Sequence, residues 1–114
     1  MDEADAERLR DMVEAARKAV SYTQGKSRGD LDTDELLALG LVRLLEIVGE
    51  AARSVSGNTR ELHSNVPWRE IVKTRDRLIH GYSTVDLDIV WEIIRDDLPP
   101  LIAELEAILL RESP

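Results

Sequence analysis

Cysteine is absent from the 114 residues, which excludes a disulfide framework and any thiolate-held metal. Phenylalanine is absent too, and tyrosine and tryptophan number two each. The core must therefore come from Leu, Ile, Val and Ala, a set that suits helix packing better than stacked sheets. Glycine totals six and proline four, too few turn residues for many short strands. No apolar run approaches the roughly 18–20 residues of a membrane span. The charged start, MDEADAERLR, has no signal-peptide stretch. A secreted, membrane-spanning or collagen-like protein is thus not expected, and a cytoplasmic location is.

Hydrophobic residues make up 43% of the chain and charged residues 33%, so it can bury a core and is not disordered by composition. Its length suits one domain, residues 1–114. The net charge of −8 is unevenly spread. Residues 1–65 carry nine basic and thirteen acidic side chains, and residues 85–114 carry two and eight. Between them, residues 66–84 hold four basic groups (Arg69, Lys73, Arg75 and Arg77) against two acidic ones (Glu70 and Asp76). A basic island in an acidic protein argues against tight, nonspecific binding of long nucleic acid and leaves room for a local phosphate site.

The apolar spacing predicts an all-α bundle of four or five helices. The first runs from about Asp5 to Tyr22, with Leu9, Met12, Val13, Ala16 and Val20 on one face. Residues 24–30 read as a loop. The second begins near Asp32 or Thr33, runs to about Val55 and stops before Gly57. Its one polar line is Arg43, Glu46, Glu50 and Arg53, so it is a central helix or one at a dimer seam. The third runs from Val66 to near Gly81. The fourth starts around Asp86 or Asp88 and is kinked or broken by Pro99 and Pro100 before a last helix from Leu101 to Leu110.

The chemistry concentrates in residues 68–82. On an unbroken helix, Arg75 falls among Trp68, Ile71, Val72 and Leu78, where it needs a carboxylate such as Glu50 or an interface. Asp76 and His80 form an i, i+4 pair, in which the carboxylate would orient the imidazole. Arg75 and His80 lie about 140° apart around such a helix. They meet at one target only through reach near Gly81 or through a two-fold dimer. Arg, His and a nearby carboxylate suffice to cut RNA without a metal. His moves a proton to or from the ribose 2′-OH or the 5′-oxygen, and Arg stabilises the pentacoordinate phosphate. The same spacing is also compatible with surface or interface roles. His63 reads as a loop histidine, Trp68 and Trp91 as core anchors.

The string Arg75-Asp76-Arg77-Leu78-Ile79-His80-Gly81-Tyr82 resembles the Arg, four residues, His, one residue, Tyr pattern of the HepT toxins of the HEPN superfamily. Leu44 to Ala52 resembles that family's second-helix segment. Val66 to Ile71 is similar to its lead-in, and Val90 to Ile94 with Asp97-Leu98-Pro99 to its C-terminal part. The resemblance spans about Leu36 to Leu105. It implies a metal-independent ribonuclease with no cofactor, acting as a homodimer, with Arg75 and His80 catalytic near the dimer cleft and Asp76 supporting them. It also implies a minimal nucleotidyltransferase antitoxin, MntA, that transfers AMP from ATP to Tyr82. Bacterial or archaeal origin follows from the family. Two other readings stay open: a non-catalytic helical dimer that binds such a nucleotidyltransferase, and a plain helical oligomerisation module.

Overall fold

The computed structural model describes residues 1–80 and 84–112, with only the backbone at His80. Helix α1 (Glu3–Tyr22) is capped by Asp2, whose carboxylate accepts the Asp5 amide at 2.8 Å. A one-turn helix α2 (Asp30–Thr33) leads into α3 (Glu35–Arg53), capped by Asp34. The sequence pattern predicts one helix beginning near Asp32 or Thr33, inside α2. The chain instead leaves the helix at Asp34 and restarts, because that carboxylate accepts the Leu37 amide at 3.0 Å. Helix α4 (Gly57–Leu62) follows where the spacing predicts no helix; it is short and mostly polar, and Ser56 starts it as N-cap.

The third predicted helix is two helices and a hairpin. Helix α5 (Trp68–Val72) ends at Lys73, and α6 (Thr74–Leu78) restarts directly after it. Ile71, Val72 and Thr74 are β-branched, and the Thr74 hydroxyl donates to the Glu70 carbonyl at 3.3 Å, a bond that bends helices. Strands β1 (Ile79–His80) and β2 (Thr84–Val85) then pair antiparallel, Ile79 with Val85 and His80 with Thr84. Helix α7 (Leu87–Glu92) runs without a break through a wide π turn (Ile93–Asp97) into α8 (Leu98–Glu112). Pro99 and Pro100 do not break the helix. They occupy the first turn of α8, and upstream the Leu98 amide reaches back to the Ile93 carbonyl, the five-residue span of a π turn.

Helix α3 is central, touching α1, α2, α5, α6 and α7. Leu41, Leu45, Val48 and Ala52 are buried with Leu9, Met12 and Ala16 of α1 and Leu105 and Ile108 of α8. Its N-terminal turns stay uncovered, with Leu36 81% and Leu39 60% exposed. Trp68 is buried as expected, its indole N–H donating to the His63 carbonyl at 3.1 Å. Trp91 is half-buried, with the Arg95 guanidinium 5.3 Å from its ring centroid. His63 lies in the turn after α4, as expected of a loop histidine, and is buried there, with Nε2 3.5 Å from Glu112 Oε1.

One buried carboxylate joins α1 to α4. Asp5 accepts the Ser56 amide at 3.0 Å and the Ser56 and Thr59 hydroxyls at 2.6 Å each. Burial pushes its carboxyl up, but these bonds outweigh burial and hold it below the ordinary carboxylate range. Asp5 therefore stabilises the fold above the ordinary carboxylate pKa, and that contribution fades as pH falls through its lowered value. Asp5→Asn should cost about 1–3 kcal/mol at neutral pH and flatten the acid limb of stability against pH; urea midpoints from pH 7 down to about pH 3 check both. Gly49 is the other tight point: a Cβ there would stand 3.2 Å from the Ile71 carbonyl oxygen. Gly49→Val should lose about 1–3 kcal/mol in the same assay.

Candidate active site

The break at Lys73 changes where the basic island points. Because α6 starts a new helix, Arg75 does not share the buried face of Trp68 and Ile71. It is exposed, with 71% of its side chain accessible. The expected burial of Arg75 is corrected, and so is its expected partner. Glu50 bonds Arg43 on its own helix at 3.2 Å, whereas Arg75 Nε stands 3.9 Å from Glu46 Oε2, one turn earlier on α3. Glu46 is three-quarters buried, so the carboxylate is the fixed member of this pair and the guanidinium the reaching one.

A cleft of about 360 Å³ separates α3 from α5–α6. Arg75, Val72, Glu46, Gly49, Glu50 and Arg53 line it. Glu46, Glu50 and Arg53 belong to the polar line already visible on the second predicted helix; the spacing marks that line as polar without saying what it faces. The Arg75 guanidinium at the cleft offers the forked donors that bind phosphate oxygens. Arg69 and Lys73 are exposed, with no ion pair among the described residues, and Arg77 lies 3.8 Å from Asp97. Among the described residues no three His, Asp or Glu side chains come together as a metal site.

Asp76 is exposed beside Arg75. The chain is extended at Ile79 and His80, so Asp76 and His80 are not one helical turn apart as expected. For the same reason the 140° separation expected for Arg75 and His80 does not apply, because the helix ends between them. The His80 side chain and all of Tyr82 lie outside the described residues. The hairpin that carries His80 is tied down at its base. The Asp86 amide donates to the Leu78 carbonyl at 2.7 Å, and the Asp86 carboxylate accepts the Asp88 and Ile89 amides at 3.0 and 3.2 Å, capping α7.

A family model described as ribonuclease HepT-like matches residues 12–108. A protein of Thermococcus cleftensis named a probable ribonuclease HepT is 33% identical over 100 residues, covering 88% of this chain and 91% of that one. A Caldanaerobacter subterraneus protein whose name, RNase, is provisional is 38% identical over 105 residues, covering 92% of this chain and 94% of its own. A Methanocaldococcus jannaschii protein with the same provisional name is 33% identical over 100 residues, covering 88% and 92%. No solved structure matches.

Because Asp86 caps α7 and its amide closes the hairpin, Asp86→Ala should lower stability by at least about 1 kcal/mol. The urea midpoint measures that loss. Faster amide exchange at Thr84 and Val85 than in the α1–α3 core would place it at the hairpin.

Proposed function

The chain belongs to the HepT-like ribonuclease family of the HEPN superfamily, and from that membership we propose that it is a metal-independent endoribonuclease, the toxin of a HEPN/MNT toxin–antitoxin pair. The observation that carries this reading is the Arg75-x4-His80-x-Tyr82 string, with Arg75 exposed at a cleft.

The ribose 2′-oxygen attacks the adjacent phosphorus and the bond to the 5′-oxygen breaks. A 2′,3′-cyclic phosphate and a 5′-hydroxyl result. His80 takes the 2′-OH proton as base or protonates the departing 5′-oxygen as acid. Arg75 holds the extra negative charge of the pentacoordinate phosphate through forked hydrogen bonds. Asp76, next to Arg75 in the chain, supports or orients the pair. One imidazole performs one proton transfer at a time, so two copies of His80 across a homodimer cleft complete the set. The uncovered Leu36 and Leu39 support an assembled state.

The partner in this reading is an MntA-like nucleotidyltransferase. The Tyr82 phenol oxygen attacks the α-phosphorus of ATP, AMP becomes attached and pyrophosphate leaves. Each AMP adds a negative phosphate and bulk beside Arg75 and His80, which repels RNA.

The test is cleavage of cellular RNA by unmodified protein with a chelator present. Cleavage should persist with chelator. It should fall by at least about a hundredfold in His80→Ala and in Arg75→Ala, with helical content and melting unchanged. Arg75→Lys should not restore it, because an ammonium lacks the planar fork. Undiminished cleavage by His80→Ala removes that residue from the mechanism. Absence of cleavage, together with a stable nucleotidyltransferase complex, favours the non-catalytic partner instead. Light scattering should return twice the 12.8 kDa chain mass; a monomer at micromolar concentration would count against the pooled site.

A further inference from the structure

A second cavity, of about 480 Å³, is lined by a different face of α5–α6, with Glu70, Thr74 and Arg77 in place of Val72 and Arg75. Its size is within the range of small-molecule sites. The floor is apolar: Val66, Ile71, Leu98 and Leu101, all buried core residues. The charged lining is lopsided, with four carboxylates (Glu70, Asp96, Asp97 and Glu104) against one cation, Arg77.

Two of those carboxylates are engaged. Asp97 lies 3.8 Å from Arg77, and Glu104 Oε1 accepts from the Asn65 side-chain Nδ2 at 2.5 Å. Glu70 and Asp96 are exposed, with no ion pair or side-chain hydrogen bond among the described residues. The π turn supplies Asp96 and Asp97 side by side. Directly after it, Pro99 and Pro100 have no N–H for the carbonyls one turn upstream, and Pro100 itself lines the cavity. The mouth is therefore rich in acceptors and poor in donors. Phosphate or carboxylate ligands meet the wrong sign there. A bare metal ion lacks three converging ligands.

We propose that this cavity binds a small organic cation, an ammonium or guanidinium head on an apolar body. The head sits between Glu70 and Asp96 and the body rests on the Leu98 and Leu101 floor. The site is independent of the ribonuclease reading and stands or falls without it.

Hexylguanidinium, hexanol and hexanoate share one alkyl chain and differ in the head. Each is titrated into the isotope-labelled full chain and followed by amide shifts. Hexylguanidinium should saturate, shifting Thr74 and Leu101, and bind at least about tenfold more tightly than hexanol, with hexanoate weakest. The double variant Glu70→Gln/Asp96→Asn alters only exposed side chains. It should weaken hexylguanidinium at least about fivefold and leave hexanol unchanged. Equal affinity for hexanol and hexylguanidinium, shifts mapping outside the cavity, no saturation by about 10 mM, or unchanged binding by the double variant would each overturn the proposal.

Discussion

The approach of α5 to α3 depends on a missing side chain. At Gly49 the helix surface is bare, and the Ile71 carbonyl oxygen comes to within 3.2 Å of where a Cβ would sit. This contact seats the end of α5 on the middle of α3. The chain then restarts after Lys73, and α6 sets Arg75 beside the polar line of α3 while Leu78 joins the core. Glu46 stands one turn before Gly49 and Arg53 one turn after it. Those two residues and Arg75 share one cleft because the backbones meet between them. A bulkier residue would separate α5 from α3 and open the cleft from its floor.

Much of the fold was legible because helix burial is periodic. Leu9, Met12 and Ala16, and Leu41, Leu45, Val48 and Ala52, repeat at three- and four-residue steps, and all are buried. The break at Lys73 was not legible. Residues 68–79 keep an acceptable helical phase, and the bend comes from a Thr74 side-chain bond and a contact with α3, both of which need the folded chain. Helix α4 was missed because it is short and largely polar, with only Thr59 buried. The Asp5 network was missed because its partners are more than fifty positions away. Of the candidate site, the Arg75-x4-His80-x-Tyr82 string is readable as residue types. What surrounds Arg75 is not, because the Glu46 contact depends on where two helices meet.

Charge is sorted by face as well as by segment. The same two short helices present Arg75 to a cleft of mixed sign and Glu70 to a cavity dominated by carboxylates. With a net charge of −8, long polyanions are repelled at a distance and bind only where local cations outweigh the background. In a ribonuclease of this family that balance disfavours general coating of the surface by RNA.

The wide turn at Ile93–Asp97 has a consequence for chain length. A π turn is an α-helix that has absorbed an extra residue without breaking. Val90, Ile94 and Leu98 are all buried, so the helix keeps one face on the core before, within and after the turn. The insertion is therefore kept in phase with the bundle. A relative one residue shorter across residues 93–97 would keep the orientation of α8, whereas a deletion later in α8 would turn Leu105 and Ile108 away from α1. An alignment gap within this helix belongs at the turn.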